Sequence, residues 1–159
     1  MVDKDYYTKR VAEAGPVGLV ALNFELTLDF LQKARKMYDN DIEQSRLCIT
    51  RAREGIENMI QSLDFDVRLS FDFYELYKYV YGLLCDVQNS SDRGKVTGVL
   101  DEAVSIIGDL TTAWKELAAI TPEEPLDIGE GPKVYKGLTY DKDGKAAEYI
   151  DEPARGYKA

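Results

Sequence analysis

From Pro16 to Ala119, apolar residues recur every three or four positions almost without interruption, and this regularity favours helices over sheets. Pro16 is the lone proline before Ile120. Pro122, Pro125, Pro132 and Pro153 all follow it, together with Gly129, Gly131, Gly137, Gly144 and Gly156. That shift divides the chain into an N-terminal arm (1–15), a helical domain (16–119) and a Pro/Gly-rich C-terminal tail (120–159). Within the domain the pattern predicts four helices. The first runs from Pro16 to about Tyr38, with proline suited to a first turn. The second starts after a cap at Asn40-Asp41 and runs to about Leu63. The third covers about Arg68–Gln88, and the fourth follows a polar turn, Asn89 to Asp92, to run from about Arg93 to Ala119. Such short connectors force neighbours antiparallel. The expected fold is all-α, an up-down-up-down antiparallel four-helix bundle with a C-terminal extension.

The helix faces differ in width. The second helix gathers Ile42, Ile49, Ala52, Ile56, Met59, Ile60 and Leu63 on one stripe. The fourth does the same with Val96, Val99, Leu100, Ala103, Ile107, Leu110, Trp114 and Leu117. The first helix carries two bands, one through Leu19, Leu22, Leu26, Phe30 and Met37, the other through Val20, Phe24, Leu28, Leu31 and Tyr38. Glu25, Asp29, Lys33 and Lys36 hold its polar sector. On the third helix, a core stripe of Leu69, Phe73, Leu76, Val80, Leu83 and Val87 lies beside a second stripe of Phe71, Tyr74, Tyr77, Tyr81 and Cys85. An aromatic stripe at helical spacing is ordinarily core. Tyrosine, with an apolar ring and a hydroxyl that seeks a partner, also suits a half-wet groove for a helix or an extended peptide. The candidate partner-binding residues are therefore Phe71, Tyr74, Tyr77, Tyr81 and Cys85, with Val20, Phe24, Leu28 and Leu31 from the first helix. An open groove needs shielding when empty, which Tyr6, Tyr7 and Val11 of the arm or the tail can provide. Gly55, Gly82, Gly98 and Gly108 fall inside helices and read as sites of close packing.

Composition narrows the function. Acids outnumber bases 29 to 20, a net charge of −9, which argues against a nucleic-acid binder. The absence of histidine removes triads, Cys-His pairs and histidine-ligated metals. No metal site, cofactor motif or catalytic residue is expected, so the chain reads as no enzyme. Cys48 and Cys85 are too few for a disulfide framework and read as reduced thiols. No apolar run approaches the roughly 18 residues of a membrane span, and MVDKDYYTKR lacks a signal-peptide core, so a cytoplasmic location is expected. In the tail, the run from Lys133 to Tyr140 alternates like a strand, and Asp143-Gly144 signals a turn. By composition the tail reads as disordered. Its apolar anchors Tyr135, Leu138, Tyr140, Tyr149 and Ile150 also suffice to dock it on the body in competition with a cargo.

An ordered set of residues resembles the FliS family of flagellin-export chaperones. It comprises an arm tyrosine with Val11, then Pro16, Leu19, Leu22, Phe24-Glu25, Leu28 and Phe30-Leu31 with Ala34. Leu63-Asp64, Leu76-Tyr77-Lys78-Tyr79 and Leu110 with Trp114 follow, so the resemblance spans about Tyr6 to Leu117. Phe65-Asp66-Val67 stands where that family usually has Gly-Gly. The resemblance implies a cytoplasmic chaperone that binds the C-terminal segment of flagellin, disordered before assembly. It would prevent premature polymerisation and deliver the subunit to the export apparatus, the arm covering part of the cargo surface. A helical adaptor or dimerisation module unrelated to export is the alternative. The oligomeric state is not legible from the residues.

Overall fold

The computed structural model describes residues 4–124, all helix, turn or coil. Five helices follow one another: α1 (Lys4–Glu13), α2 (Pro16–Met37), α3 (Ile42–Gln61), α4 (Leu69–Val87) and α5 (Arg93–Ile120). The expected count of four is thus corrected, because most of the predicted arm is itself a helix. The readings made for the tail beyond Glu124 lie outside the described residues.

Local chemistry sets the helix ends. Pro16 occupies the first turn of α2, where its missing N–H costs nothing. The Asp41 carboxylate accepts from the Gln44 N–H at 3.1 Å, and Asp92 accepts from the Lys95 N–H at 3.1 Å, each neutralising an otherwise orphaned donor. The boundaries of α2 to α5 fall within a residue or two of those expected.

The four long helices close a ring in which α2 and α4 each touch α3 and α5, while α1 packs on α2 alone. Contacts between them fix their directions. The N-terminal half of α2 meets the C-terminal half of α5 through Phe24 and Trp114, and its C-terminal half meets the start of α5 through Arg35 and Asp101. Asn23 reaches the Gly55 carbonyl late in α3, whereas Ser45, early in α3, donates to the Ala34 carbonyl at 2.7 Å. Arg46 and Arg53 of α3 join Ser90 and Gln88 beyond the far end of α4. Phe73 early in α4 packs on Trp114 late in α5, and Tyr79 pairs with Glu102. Each neighbouring pair in the ring therefore runs in opposite directions.

The core is a continuous cluster centred on Phe24, Leu31, Ile49, Ile56, Tyr77, Val80, Leu84, Leu100 and Ile107. Because α2 lies between α3 and α5, both of its apolar bands find cover inside the ring. Leu19 and Leu22 are buried from one band, Phe24 and Leu31 from the other, and Val20 and Leu28 pack at the margin of the core.

Candidate functional site

Asp72, Glu75, Lys78 and Asp86 hold one sector of α4, and the apolar remainder is wide enough for two stripes to compete for its inner face. The stripe expected in the core ran through Leu69, Leu76 and Leu83. The observed inner face instead runs through Ser70, Tyr77, Val80, Leu84 and Val87, with Phe73 at its edge. Both stripes keep alternating three- and four-residue steps and share Phe73, Val80 and Val87, so periodicity alone did not separate them. Tertiary packing decides: Tyr77 sits edge-on to Phe24 at 5.9 Å and stacks on Phe73 at 5.8 Å. Burial pushes the Tyr77 phenol up to about 12, with Trp114 working weakly the other way.

This rotation corrects the candidate site. Tyr77 is 2% exposed, and Phe24 and Leu31 are fully buried, so these three pack in the core rather than on an open stripe. Tyr81 is half-buried and tied to α3: Arg53 lies over its ring at 5.3 Å, and its hydroxyl donates to Glu57 at 3.3 Å. Cys85 is exposed near the opposite end of α4 from Phe71. Phe71 and Tyr74 do share a surface, each packing on Phe65 from the α3–α4 connector, at 5.2 and 5.7 Å. Val20 is half-buried, and Leu28 lies against the core.

Turning Tyr77 inward turns Leu69 outward. Leu69 and Phe71 are each 55% exposed, and Val67 is 52% exposed. Beside them an apolar groove of about 320 Å³ opens at this end of the ring, within the size range of ligand and side-chain pockets. Val20, Met59, Leu63, Leu69, Phe73 and Trp114 supply most of its walls, and Val67 stands at the connector side. Phe24 stacks on Trp114 at 6.2 Å beneath it. Of the nine predicted partner-binding residues, the groove takes Val20 and the buried Tyr77; Met59, Leu63, Leu69, Phe73 and Trp114 come from stripes read as core. The signal missed is Phe65-Asp66-Val67: two large apolar residues in a connector that had every reason to be polar.

The predicted shield lies elsewhere. Helix α1 covers the polar sector of α2 rather than the α4 aromatics, because it buries no residue of its own and attaches through polar groups. Arg10 grips Glu25 with two parallel hydrogen bonds of 2.7 and 2.9 Å, and Tyr7 donates to Asp29 at 2.5 Å. Its own burial, then the Asp29 carboxylate, hold the Tyr7 phenol well above the usual range. Tyr6 packs edge-on against Tyr7 and accepts from Arg10, and Val11 is half-buried. A second groove, about 330 Å³, runs between α1, α2 and the end of α5 past Arg10, Ala14, Gly18, Ala21, Lys115 and Ala118.

Against this geometry, the family model described as "Flagellar protein FliS" matches residues 2–121, a span that takes in all five helices of the described residues. The chain belongs to the FliS family. It is similar to the flagellar secretion chaperone FliS of Bacillus subtilis strain 168, with 27% identity over 127 residues that span 79% of this chain and 91% of the relative. Helix α1 lies inside the region matched to FliS, so the arm is part of the family unit rather than an appendage. Among the described residues no helix is long and apolar enough to cross a membrane.

Proposed function

We infer that this FliS-family chain is a cytoplasmic flagellar export chaperone that holds the C-terminal segment of flagellin and passes it to the export apparatus. The observation that carries the reading is the open apolar groove at the α3–α4 end, lined by Val67 and Leu69 with the exposed Phe71 next in line, in a chain of net charge −9. Exposed contiguous apolar surface on a soluble protein marks an interaction site. A cargo segment that folds on binding suits such a surface. It buries on the order of 1,000–3,000 Å² while losing at least about 2–5 kcal/mol to ordering, so it is held yet released. The binding surface in this reading is Phe65, Val67, Leu69, Phe71 and Tyr74 with the groove walls. Tyr77, Phe24 and Leu31 support it from beneath. Helix α1, with Tyr6, Tyr7 and Val11, shields the adjoining α2 face. It is the element most easily displaced, since it buries no residue fully and attaches through Arg10, Tyr7 and a half-buried Val11. The role requires no chemistry.

Calorimetric titration of the full chain with a synthetic C-terminal flagellin segment tests this. One-to-one binding with a negative heat-capacity change is expected. Absence of heat, together with a concentration-dependent dimer that buries Phe71, would instead establish the adaptor alternative.

A further inference from the structure

The start of the tail is fastened to the body. Helix α2 has no side-chain cap of its own, because Gly15 occupies the capping position. The Glu123 carboxylate fills that role, accepting from the Val17 N–H at 2.9 and 3.1 Å through its two oxygens. Gly15 makes this possible: a Cβ there would stand 2.5 Å from the Glu123 Cβ. The chain therefore leaves the helical body at the head of α2. Val20, a wall of the apolar groove, is three residues further along, about 4.5 Å at 1.5 Å per residue. Trp114, the opposite wall, sits two turns before the end of the helix that delivers the tail.

We propose that the segment from Lys133 to Tyr140 of this chain's own tail occupies the apolar groove when no other peptide does. Three features favour this occupant. The exit point lies at the head of α2, the helix whose Val20 walls the groove, and residues 125–132 are ample to reach it at up to about 3.3–3.6 Å each. Period-two spacing puts Val134, Leu138 and Tyr140 on one side with Lys136 among them, three apolar groups for the groove and one cation for the acids at its rim. The connector and first turn of α4 carry Asp64, Asp66 and Asp72 against Arg68, and the segment brings Lys133 and Lys136 with no acid of its own. Tethering holds the segment near millimolar effective concentration, so a weak contact suffices and a tighter guest displaces it. The regulatory consequence rests on the groove being the cargo site, whereas the occupancy does not.

Trp114 is the sole tryptophan and lines the groove, so its emission reads occupancy with no flagellin present. The test compares the full chain with a full-length variant carrying Val134→Ser, Leu138→Ser and Tyr140→Ser. The variant is expected to show red-shifted emission and roughly twofold greater acrylamide quenching, at an unchanged melting temperature. A synthetic peptide of residues 130–142, added at millimolar concentration, should restore the parental spectrum. Identical quenching in both proteins would overturn the proposal, as would quenching that depends on protein concentration, the mark of a second copy in the groove. Because cargo is absent, failure here leaves the flagellin titration free to succeed, and the reverse.

Discussion

Gly55, Gly82, Gly98 and Gly108 sit inside the long helices, and their surroundings divide them. At Gly55 a methyl group would collide with the buried Thr27 hydroxyl, and Asn23 donates to the Gly55 carbonyl at 3.1 Å, so α2 and α3 approach closely here. Gly55→Ala is expected to lower stability by about 1–3 kcal/mol in urea denaturation, since neither backbone can retreat without opening the core. Around Gly82 and Gly98 there is open space. Gly82→Ala and Gly98→Ala should each raise stability by about 0.5–1 kcal/mol through helix propensity and a less permissive unfolded chain. The sequence showed all four glycines alike, because close packing is a property of the neighbour across the gap. Tyr77 makes the same point. Its spacing placed it on a partner-binding stripe, yet Phe24 and Phe73 enclose it. Tyr77→Ala should cost about 3–5 kcal/mol of folding stability, and a melting temperature that barely moved would contradict the core assignment.

At the scale of single helices, α2, α3 and α5 were legible because each has either one clear apolar face or a neighbour on both sides. Helix α4 was not, since an apolar face wide enough for two stripes leaves its rotation to tertiary contacts. Helix α1 was read only as an arm because it is short and largely polar, with Tyr6, Tyr7 and Val11 its large apolar side chains. That attachment has a pH signature. Docking raises the Tyr7 phenol above its ordinary value of 10.0, so the proton is held more tightly docked than free. Tyr7 therefore contributes fully to docking below pH about 10, and the contribution fades as pH climbs from there through the raised value. Carbon NMR of labelled tyrosine should show one ring that ionises late, and Arg10→Ala should bring it back toward the others. Hydrogen exchange in α1 should quicken about tenfold in Arg10→Ala, the loss expected of a part-exposed charge-assisted pair, while protection in α3 holds. Unchanged exchange in α1 would show that the ion pair does not hold the helix down.

Across the described residues, the all-helical architecture and the ends of α2 to α5 followed from composition and periodicity. The location of the surplus apolar surface did not. Three of the residues expected to display it are sealed in the core. The surplus moved instead to one end of the ring, where the α3–α4 connector brings Phe65 and Val67 beside Leu69 and Phe71. Exposed apolar residues there add nothing evident to folding and leave a groove with Trp114 at its wall, which is the arrangement of a site for a guest polypeptide. Calorimetric titration of the parental chain and of Leu69→Ser/Phe71→Ser with the same C-terminal flagellin segment tests this most directly. Both substituted residues are exposed, so the melting temperature should stay in place while affinity falls by at least about tenfold. Equal affinity in the two proteins, at equal stability, would contradict the account and place the guest elsewhere on the surface.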